Sequence, residues 1–277
     1  MDVKQILKEQ NFRFNKQFGQ NFLTDKALLD EIVTDANVDG GTVLEIGAGA
    51  GTLTRQLSER AERVIAFEID RNLDKVLKLT LADCPNVKVV IGDIMRYKMA
   101  DIEELCGGEF KLVANIPYYL TSPLIMNFVE LSANVQSMTL TIQKEVALRL
   151  SASPSTKDYG AITVAVNAVA DVTLTRVLPR ELFYPVPNVD SAVVRIDFKR
   201  DKFDIDNHAL FRKTVKTAFA MRRKTLVNNL MVGFNVNRAT AENILAAMDL
   251  SVNCRGEELS VEQFVRLYKI IQAQGLK

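Results

Sequence analysis

Thr42-Val43-Leu44-Glu45-Ile46-Gly47-Ala48-Gly49-Ala50-Gly51 sets an apolar run of strand length directly before three alternating glycines. Leu53–Ser58, just beyond, begins a helix-like segment. A glycine turn between strand and helix brings backbone close to a ligand and aims helix N–H groups at it. Dinucleotide enzymes use a similar turn with the spacing G-x-G-x-x-G. Here the third glycine comes early, at Gly51, and Thr52 holds the expected position. Outward from this turn, strands and helices alternate. Val64–Phe67, Val87–Ile91, Lys111–Ala114 and Met138–Ile142 read as strands, and Leu73–Leu81 and Ser122–Leu131 as helices. Upstream, Thr24–Ala36 reads as a helix capped by Thr24, with Leu28, Leu29, Ile32, Val33 and Ala36 on one face. Ile162–Val169 and Ala192–Phe198 add two further apolar runs. The alternation predicts an α/β fold: a Rossmann-like parallel sheet with helices on both faces.

After Arg200-Asp201 the pattern changes. Residues 205–277 have helical periodicity, marked by Leu210, Phe211, Val215 and Phe219, by Ile244, Leu245 and Met248, and by Phe264, Val265, Tyr268 and Ile271. This predicts a domain of residues 1–200 and a small all-helical C-terminal domain of residues 201–277. Residues 1–20 are candidates for flexibility until a ligand binds. The stretch to residue 23 is basic with interleaved aromatics: Phe12, Arg13, Phe14, Lys16, Phe18 and Phe22. Ser151–Gly160, with Pro154 and Gly160, is the best candidate for a flexible internal loop.

Composition narrows the function classes. His208 is the only histidine, which argues against a Ser-His-Asp triad or a multi-histidine metal site, and no metal is expected. Cys84, Cys106 and Cys254 are widely spaced and read as free thiols of a reducing, cytoplasmic compartment. No apolar stretch approaches the roughly 20 residues of a membrane span, and Met1-Asp2-Val3-Lys4-Gln5 opens no signal-peptide core. The formal net charge of +1 hides an asymmetry. Residues 1–190 hold 20 Lys and Arg against 25 Asp and Glu, whereas residues 191–277 hold 15 against 9. From Asn207 to Ala241 there is no acid, while Arg212, Lys213, Lys216, Arg222, Arg223, Lys224 and Arg238 are basic. A one-sign stretch of this length points to a polyanion partner.

Acids at the carboxyl ends of successive strands of such a sheet face one crevice. Glu45, two residues before the first glycine, suits an acid near a methionine amino group better than a neighbour of pyrophosphate. Glu68 ends the second strand, where a carboxylate can accept both ribose hydroxyls. Asp93 ends the third, where it can accept from an adenine amino group. The ordered set points to S-adenosylmethionine. Asn115-Ile116-Pro117-Tyr118 then follows the fourth strand. The exocyclic amine of adenine is a poor nucleophile because its lone pair is conjugated with the ring. The Asn115 side-chain oxygen and the Ile116 carbonyl are candidate acceptors that can draw that lone pair out of plane. Pro117 fixes the turn without an N–H to compete. Tyr118 can stack on a base that has left its own stack. Catalysis is then mostly positioning and electrostatics.

Gln20-Asn21-Phe22-Leu23, Glu45-Ile46-Gly47-Ala48-Gly49, Asn115-Ile116-Pro117-Tyr118 and Pro187-Asn188-Val189-Asp190-Ser191-Ala192-Val193-Val194 resemble the rRNA adenine dimethyltransferases nearly end to end, and among them most closely the KsgA (RsmA) family. The resemblance implies SAM-dependent N6-dimethylation of two adjacent adenosines in the 3′-terminal hairpin of 16S rRNA, within the 30S subunit or its precursor. A monomer is expected, since nothing suggests an obligate dimer. The resemblance puts cofactor contacts on Asn21, Leu23, Gly47, Glu68, Asp93 and Asn115, within a site that also takes in Gln20, Glu45, Gly49, Gly51, Ile69 and Ile94. It sets Phe183 facing the target base opposite Tyr118, although core packing before a proline turn explains that residue too. Phe219-Ala220-Met221-Arg222-Arg223-Lys224-Thr225-Leu226 resembles the family's basic helical signature, which puts Arg222, Arg223 and Lys224 at the RNA. Isoleucine at Ile116 is equally common in the macrolide-resistance methyltransferases of large-subunit rRNA, so that motif alone does not settle the substrate. The Arg222-Arg223-Lys224 signature and the Pro187–Val194 segment favour the KsgA family. The large-subunit enzyme and a non-catalytic rRNA-binding assembly factor are the alternatives.

Overall fold

The computed structural model describes residues 3–10, 12, 14, 15 and 19–277. Arg13, Lys16 and Phe18 of the basic aromatic stretch lie outside the described residues. The described residues form nine strands: β1 (Phe22–Leu23), β2 (Thr42–Ile46), β3 (Arg63–Glu68), β4 (Val87–Ile91), β5 (Phe110–Asn115), β6 (Val135–Gln143), β7 (Ala170–Leu178), β8 (Phe183–Tyr184) and β9 (Ser191–Phe198). The helices up to the middle of the chain are α1 (Val3–Glu9), α2 (Lys26–Ala36), α3 (Thr52–Ser58), α4 (Asp74–Thr80), α5 (Met99–Cys106), α6 (Thr121–Leu131), α7 (Lys144–Leu150) and α8 (Ala161–Asn167). Four more follow: α9 (His208–Phe219), α10 (Leu226–Phe234), α11 (Arg238–Ala246) and α12 (Val261–Ala273). No helix among the described residues is long and apolar enough to cross a membrane.

Seven strands make one sheet in the order β4-β3-β2-β5-β6-β9-β7. The first five are parallel, and β9 pairs antiparallel with β6. The sheet is thus the Rossmann-like one expected, with the antiparallel partner β9 as an addition to the parallel pattern. Strand order reverses between β2 and β5, because β3 and β4 grow outward on one side and β6 on the other. The chain ends leaving β2 and β5 splay apart there, and ligands of open α/β sheets bind in that crevice. Register puts Glu45 beside Ala66 on one side and Val113 on the other. The strands are buried on both faces, so β2, β3 and β5 read as near-continuous apolar runs.

Helix α2 starts one residue later than its sequence suggests. Asp25, not Thr24, is the cap, and its carboxylate accepts the Leu28 N–H at 3.1 Å. Leu29, Ile32, Val33 and Ala36 bury the apolar stripe, and Asn37 ends the helix in the left-handed region at φ 50°. The run 162–169 is mostly helix α8, and the sheet strand begins at Ala170. β-branched residues lower helix propensity only slightly, so burial of Thr163, Val164 and Val166 outweighs it.

The chain divides into two compact units that differ from a single cut at residue 200. One runs to Ala147 and resumes over Thr173–Phe198; the other comprises Leu148–Val172 and Lys199–Lys277. Residues 148–172, assigned by sequence to the first domain, thus group with the C-terminal helices. Helices α9 to α12 of that second unit each have a side-chain cap: Asn207, Thr225, Asn237 and Ser260. Its core stacks Phe219 on Phe264 and sets Phe211 edge-on to Tyr268. The segment Ser151–Gly160 is irregular but tied down. Ser155 N–H donates to the Glu257 carbonyl at 2.8 Å, and the buried Tyr159 hydroxyl donates to the Leu259 carbonyl at 2.8 Å.

Candidate active site

The crevice at the β2/β5 reversal is built from four chain turns. The first is the glycine turn, where Gly47 and Ala48 donate their N–H groups to the Phe67 carbonyl at 2.8 and 3.0 Å. Gly47, Gly49 and Gly51 all take positive φ, which this sharp turn from strand to helix demands. At Gly49 there is a second reason: a Cβ would stand 2.9 Å from the Phe22 ring. Phe22 belongs to a strap, residues 19–23, that runs over the turn. Thr52 ties the strap by donating its hydroxyl to the Leu23 carbonyl at 3.0 Å.

The second turn follows β3. Glu68 is buried, yet both its oxygens are engaged: Oε2 accepts Gly49 N–H at 2.7 Å and Oε1 accepts Asp70 N–H at 2.8 Å. Burial raises its pKa, and the two backbone donors oppose that rise. The carboxylate is held at the crevice wall with lone pairs to spare for ribose hydroxyls. The third turn follows β4, where Asp93 accepts Met95 N–H at 3.0 Å and faces the exposed Arg96 at 3.4 Å. Ile69 and Ile94 supply flat apolar walls on this side, together with Met95 and Leu120.

The fourth turn is Asn115-Ile116-Pro117-Tyr118. Asn115 donates its side-chain Nδ2 to the Asn21 carbonyl at 2.9 Å. A carbonyl can only accept, so the chemistry of this pairing assigns the amide: Nδ2 faces the strap and Oδ1 faces away from it. Ile116 is buried, and its N–H donates to the Thr141 carbonyl at 3.1 Å. The Tyr118 hydroxyl shares a 3.0 Å hydrogen bond with Ser191 Oγ, which anchors the ring. Burial raises the Tyr118 pKa, so the phenol stays neutral at physiological pH.

The crevice has two contiguous halves that share Gly47, Ile69 and Pro117. Gln20, Asn21, Gly49, Glu68 and Asn115 with Ile116 and Tyr118 line one half; Asp93 and Ile94 line the other. Leu23, Gly51 and Glu45 do not line either half. Leu23 is buried in β1 and Gly51 caps α3. Glu45 is 1% exposed, and neither of its oxygens has a hydrogen-bond partner of good geometry among the described residues. Burial, eased slightly by the nearby Thr54 hydroxyl and worsened by Glu68, pushes its pKa up to about 8. A carboxyl this far from water is the one strongly perturbed acid behind the glycine turn.

Phe183 is 3% exposed, paired with Leu23 in the β1–β8 ladder and packed in the core. The crevice also includes residues with no evident sequence signal. Gly19 backs onto Pro117, and Tyr119, 58% exposed, rims the Asp93 half. Asp70 joins strap and β3 turn through Gln20, whose Nε2 donates to Asp70 Oδ2 at 2.8 Å. In the second unit, Arg223 and Lys224 are exposed, whereas Arg222 pairs with Glu257 at 2.9 Å and donates to the Lys157 carbonyl at 2.5 Å.

A glycine turn, a buried carboxylate at the end of β3 and a second acid one strand further out, at the reversal of a Rossmann-like sheet, define an S-adenosylmethionine-dependent methyltransferase. The residues fit that cofactor: Gly47 and Gly49 put no side chain between the turn and the crevice, and Glu68 and Asp93 retain acceptor capacity. Residues 11–273 match the family of ribosomal RNA adenine dimethylases, and the chain belongs to that family. It is 43% identical over 98% of its length, and 96% of the relative's, to the ribosomal RNA small subunit methyltransferase A of Clostridioides difficile (strain 630). It resembles the crystal structure of a dimethyladenosine transferase from Plasmodium falciparum with a TM-score of 0.81 at 26% identity, covering 92% of this chain and 98% of that one. It also resembles the 23S rRNA methyltransferase ErmE with a TM-score of 0.71 at 27% identity, covering 91% of this chain and 100% of that one.

Proposed function

We propose that the protein dimethylates N6 of two adjacent adenosines in the 3′-terminal hairpin of 16S rRNA, in the 30S subunit or its precursor, as a step of ribosome biogenesis in the cytoplasm. The observation that carries this reading is the Asn115 amide: fixed by Asn21, it offers an oxygen beside the crevice that the glycine turn, Glu68 and Asp93 line. When bound, S-adenosylmethionine supplies a methyl group already activated on a sulfonium. Gly47 and Gly49 admit the methionine half, Glu68 accepts from ribose, and Asp93 with Ile69 and Ile94 holds the adenine.

The target adenine must leave its stack to enter. Tyr118, anchored by Ser191, supplies a face for it, worth roughly 1–3 kcal/mol per stacked base. Asn115 Oδ1 and the Ile116 carbonyl accept the two amine hydrogens, which turns the nitrogen lone pair out of conjugation. A monomethylated amine keeps one N–H, so the second transfer uses one acceptor. No strong base is required, because the product nitrogen gives up its proton readily. Arg223 and Lys224 offer phosphate contacts, and Arg222 shares that role with its structural one.

Large-subunit RNA is disfavoured as substrate because the curated relatives at 39–43% identity are named small subunit methyltransferase A, whereas the structural likeness to a 23S enzyme is at 27%. Methyl transfer from labelled S-adenosylmethionine to undermethylated 30S subunits and, separately, to 23S rRNA tests the choice. Label in 30S alone is expected; label in 23S alone overturns the assignment.

A further inference from the structure

Resting on the proposed role of Asn115, we infer that Gln20 and Asp70 form a latch that sets the orientation of the catalytic amide, making Asp70 a positioning residue for methyl transfer. The chain of hydrogen bonds is continuous. Asp70 is buried, and its Oδ1 accepts both Asn72 N–H, at 3.0 Å, and Asn72 Nδ2, at 2.9 Å. That leaves Oδ2 for Gln20 Nε2 at 2.8 Å. Gln20 Oε1 in turn accepts the Asn15 N–H at 2.9 Å. Each bond of the latch therefore runs from a nitrogen donor to an oxygen acceptor, and a flip of the Gln20 amide would set like against like at both ends. The residue after Gln20 is Asn21, whose carbonyl receives Asn115 Nδ2.

The latch fixes the strap at one end, as the Thr52–Leu23 bond fixes it at the other. Between them the Asn21 carbonyl is held where only an N–H of Asn115 can face it. Without that fixed carbonyl, the Asn115 amide is free to turn its NH2 toward the substrate amine, which is a donor facing donors. Asp70 lines neither half of the crevice, so its action on the reaction runs through the strap.

The hydrogen-bond logic supplies its own test. In Asp70→Asn, the remaining oxygen stays with the two Asn72 donors, so an NH2 faces the Gln20 NH2. In Gln20→Glu, a carboxylate faces the Asp70 carboxylate. Each single variant breaks the latch. Combined, the new amide donates to the new carboxylate, whose other oxygen still accepts Asn15 N–H, and the latch closes with the same total charge. Turnover on 30S subunits at saturating S-adenosylmethionine, cofactor Kd and thermal midpoint are measured for the four proteins. Each single variant is expected to lose about 10-fold to 100-fold in turnover, the range for a slightly misplaced catalytic group. Asp70→Asn, whose side chain lines neither half of the crevice, is expected to keep cofactor Kd within about threefold of the parent. The double variant is expected to recover to within about threefold of the parent. Single variants with parental turnover, an Asp70→Asn loss confined to cofactor Kd, or a double variant as slow as the singles would each overturn the latch. Asn115→Ala separates the two levels: parental turnover there defeats the function reading itself, while loss there with intact single latch variants defeats only this inference.

Discussion

An asparagine amide has two chemically different ends, and its neighbours decide which one a substrate meets. For Asn115 the Asn21 carbonyl makes that decision. Asn115→Ala is expected to cost about 10²-fold or more in turnover while cofactor and RNA affinities stay near parental, measured by single-turnover transfer and direct binding. Asn115→Asp is expected to fare no better, because a carboxylate oxygen would then face the Asn21 carbonyl. Glu68→Ala removes the acceptor assigned to ribose and should weaken cofactor binding by about 10-fold to 100-fold, the worth of a hydrogen bond to a charged group; an unaltered Kd by calorimetry would remove the assignment. Glu45 makes a pH prediction. Its carboxyl stays protonated in the folded protein up to about pH 8, whereas the unfolded chain releases that proton near the ordinary glutamate value of 4.5. Unfolding therefore gains from rising pH across that window, and stability falls from about pH 4.5 to 8. Glu45→Gln should melt above the parent at pH 8, with the gap closing toward pH 5. A gap that stays constant with pH would show the acid to be ionised in the fold.

Short turns and strap segments do most to position these residues. Gly49 must be glycine twice over, for its φ of 59° and for the Phe22 ring above it. Gly49→Ala should strain the turn and lift the strap, lowering the thermal midpoint and weakening cofactor binding together. Gly256 is tighter: a Cβ would overlap the backbone oxygen of Ala218, which cannot swing aside. Gly256→Ala is expected to destabilise the helical unit by about 1–3 kcal/mol, read from denaturant midpoints. The β2 and β5 turns are legible in sequence because strand, glycine or proline, and acid or amide fall in one contiguous stretch. The Gln20–Asp70 latch is not, since its partners lie 50 residues apart and nothing local marks the pairing. Helix α8 is hidden by its β-branched residues, and α10 (Leu226–Phe234) by an apolar run that follows directly on the basic signature. Phe183 keeps both its readings in sequence, and only its burial separates them.

Charge is divided along the chain as chemistry is. The acids assigned to the cofactor fall in the acidic first 190 residues, and the acid-free stretch from Asn207 to Ala241 falls in the helical unit. Neutralising Arg223 and Lys224 together should weaken RNA binding and flatten the dependence of log affinity on log salt, by about one unit of slope for each phosphate no longer neutralised. Arg222→Ala should in addition lower the thermal midpoint, since its guanidinium bridges Glu257 and the Lys157 carbonyl within that unit. The residues of the crevice, the family match and the basic helices converge on one product. Mass spectrometry of nucleosides from the 3′-terminal hairpin of 16S rRNA, after undermethylated 30S subunits are incubated with the protein and S-adenosylmethionine, reads that product without intermediaries. The expected result is N6,N6-dimethyladenosine at two adjacent positions, absent with Asn115→Ala; an unmodified hairpin, or methyl groups carried elsewhere than on adenine N6, would refute the proposed activity.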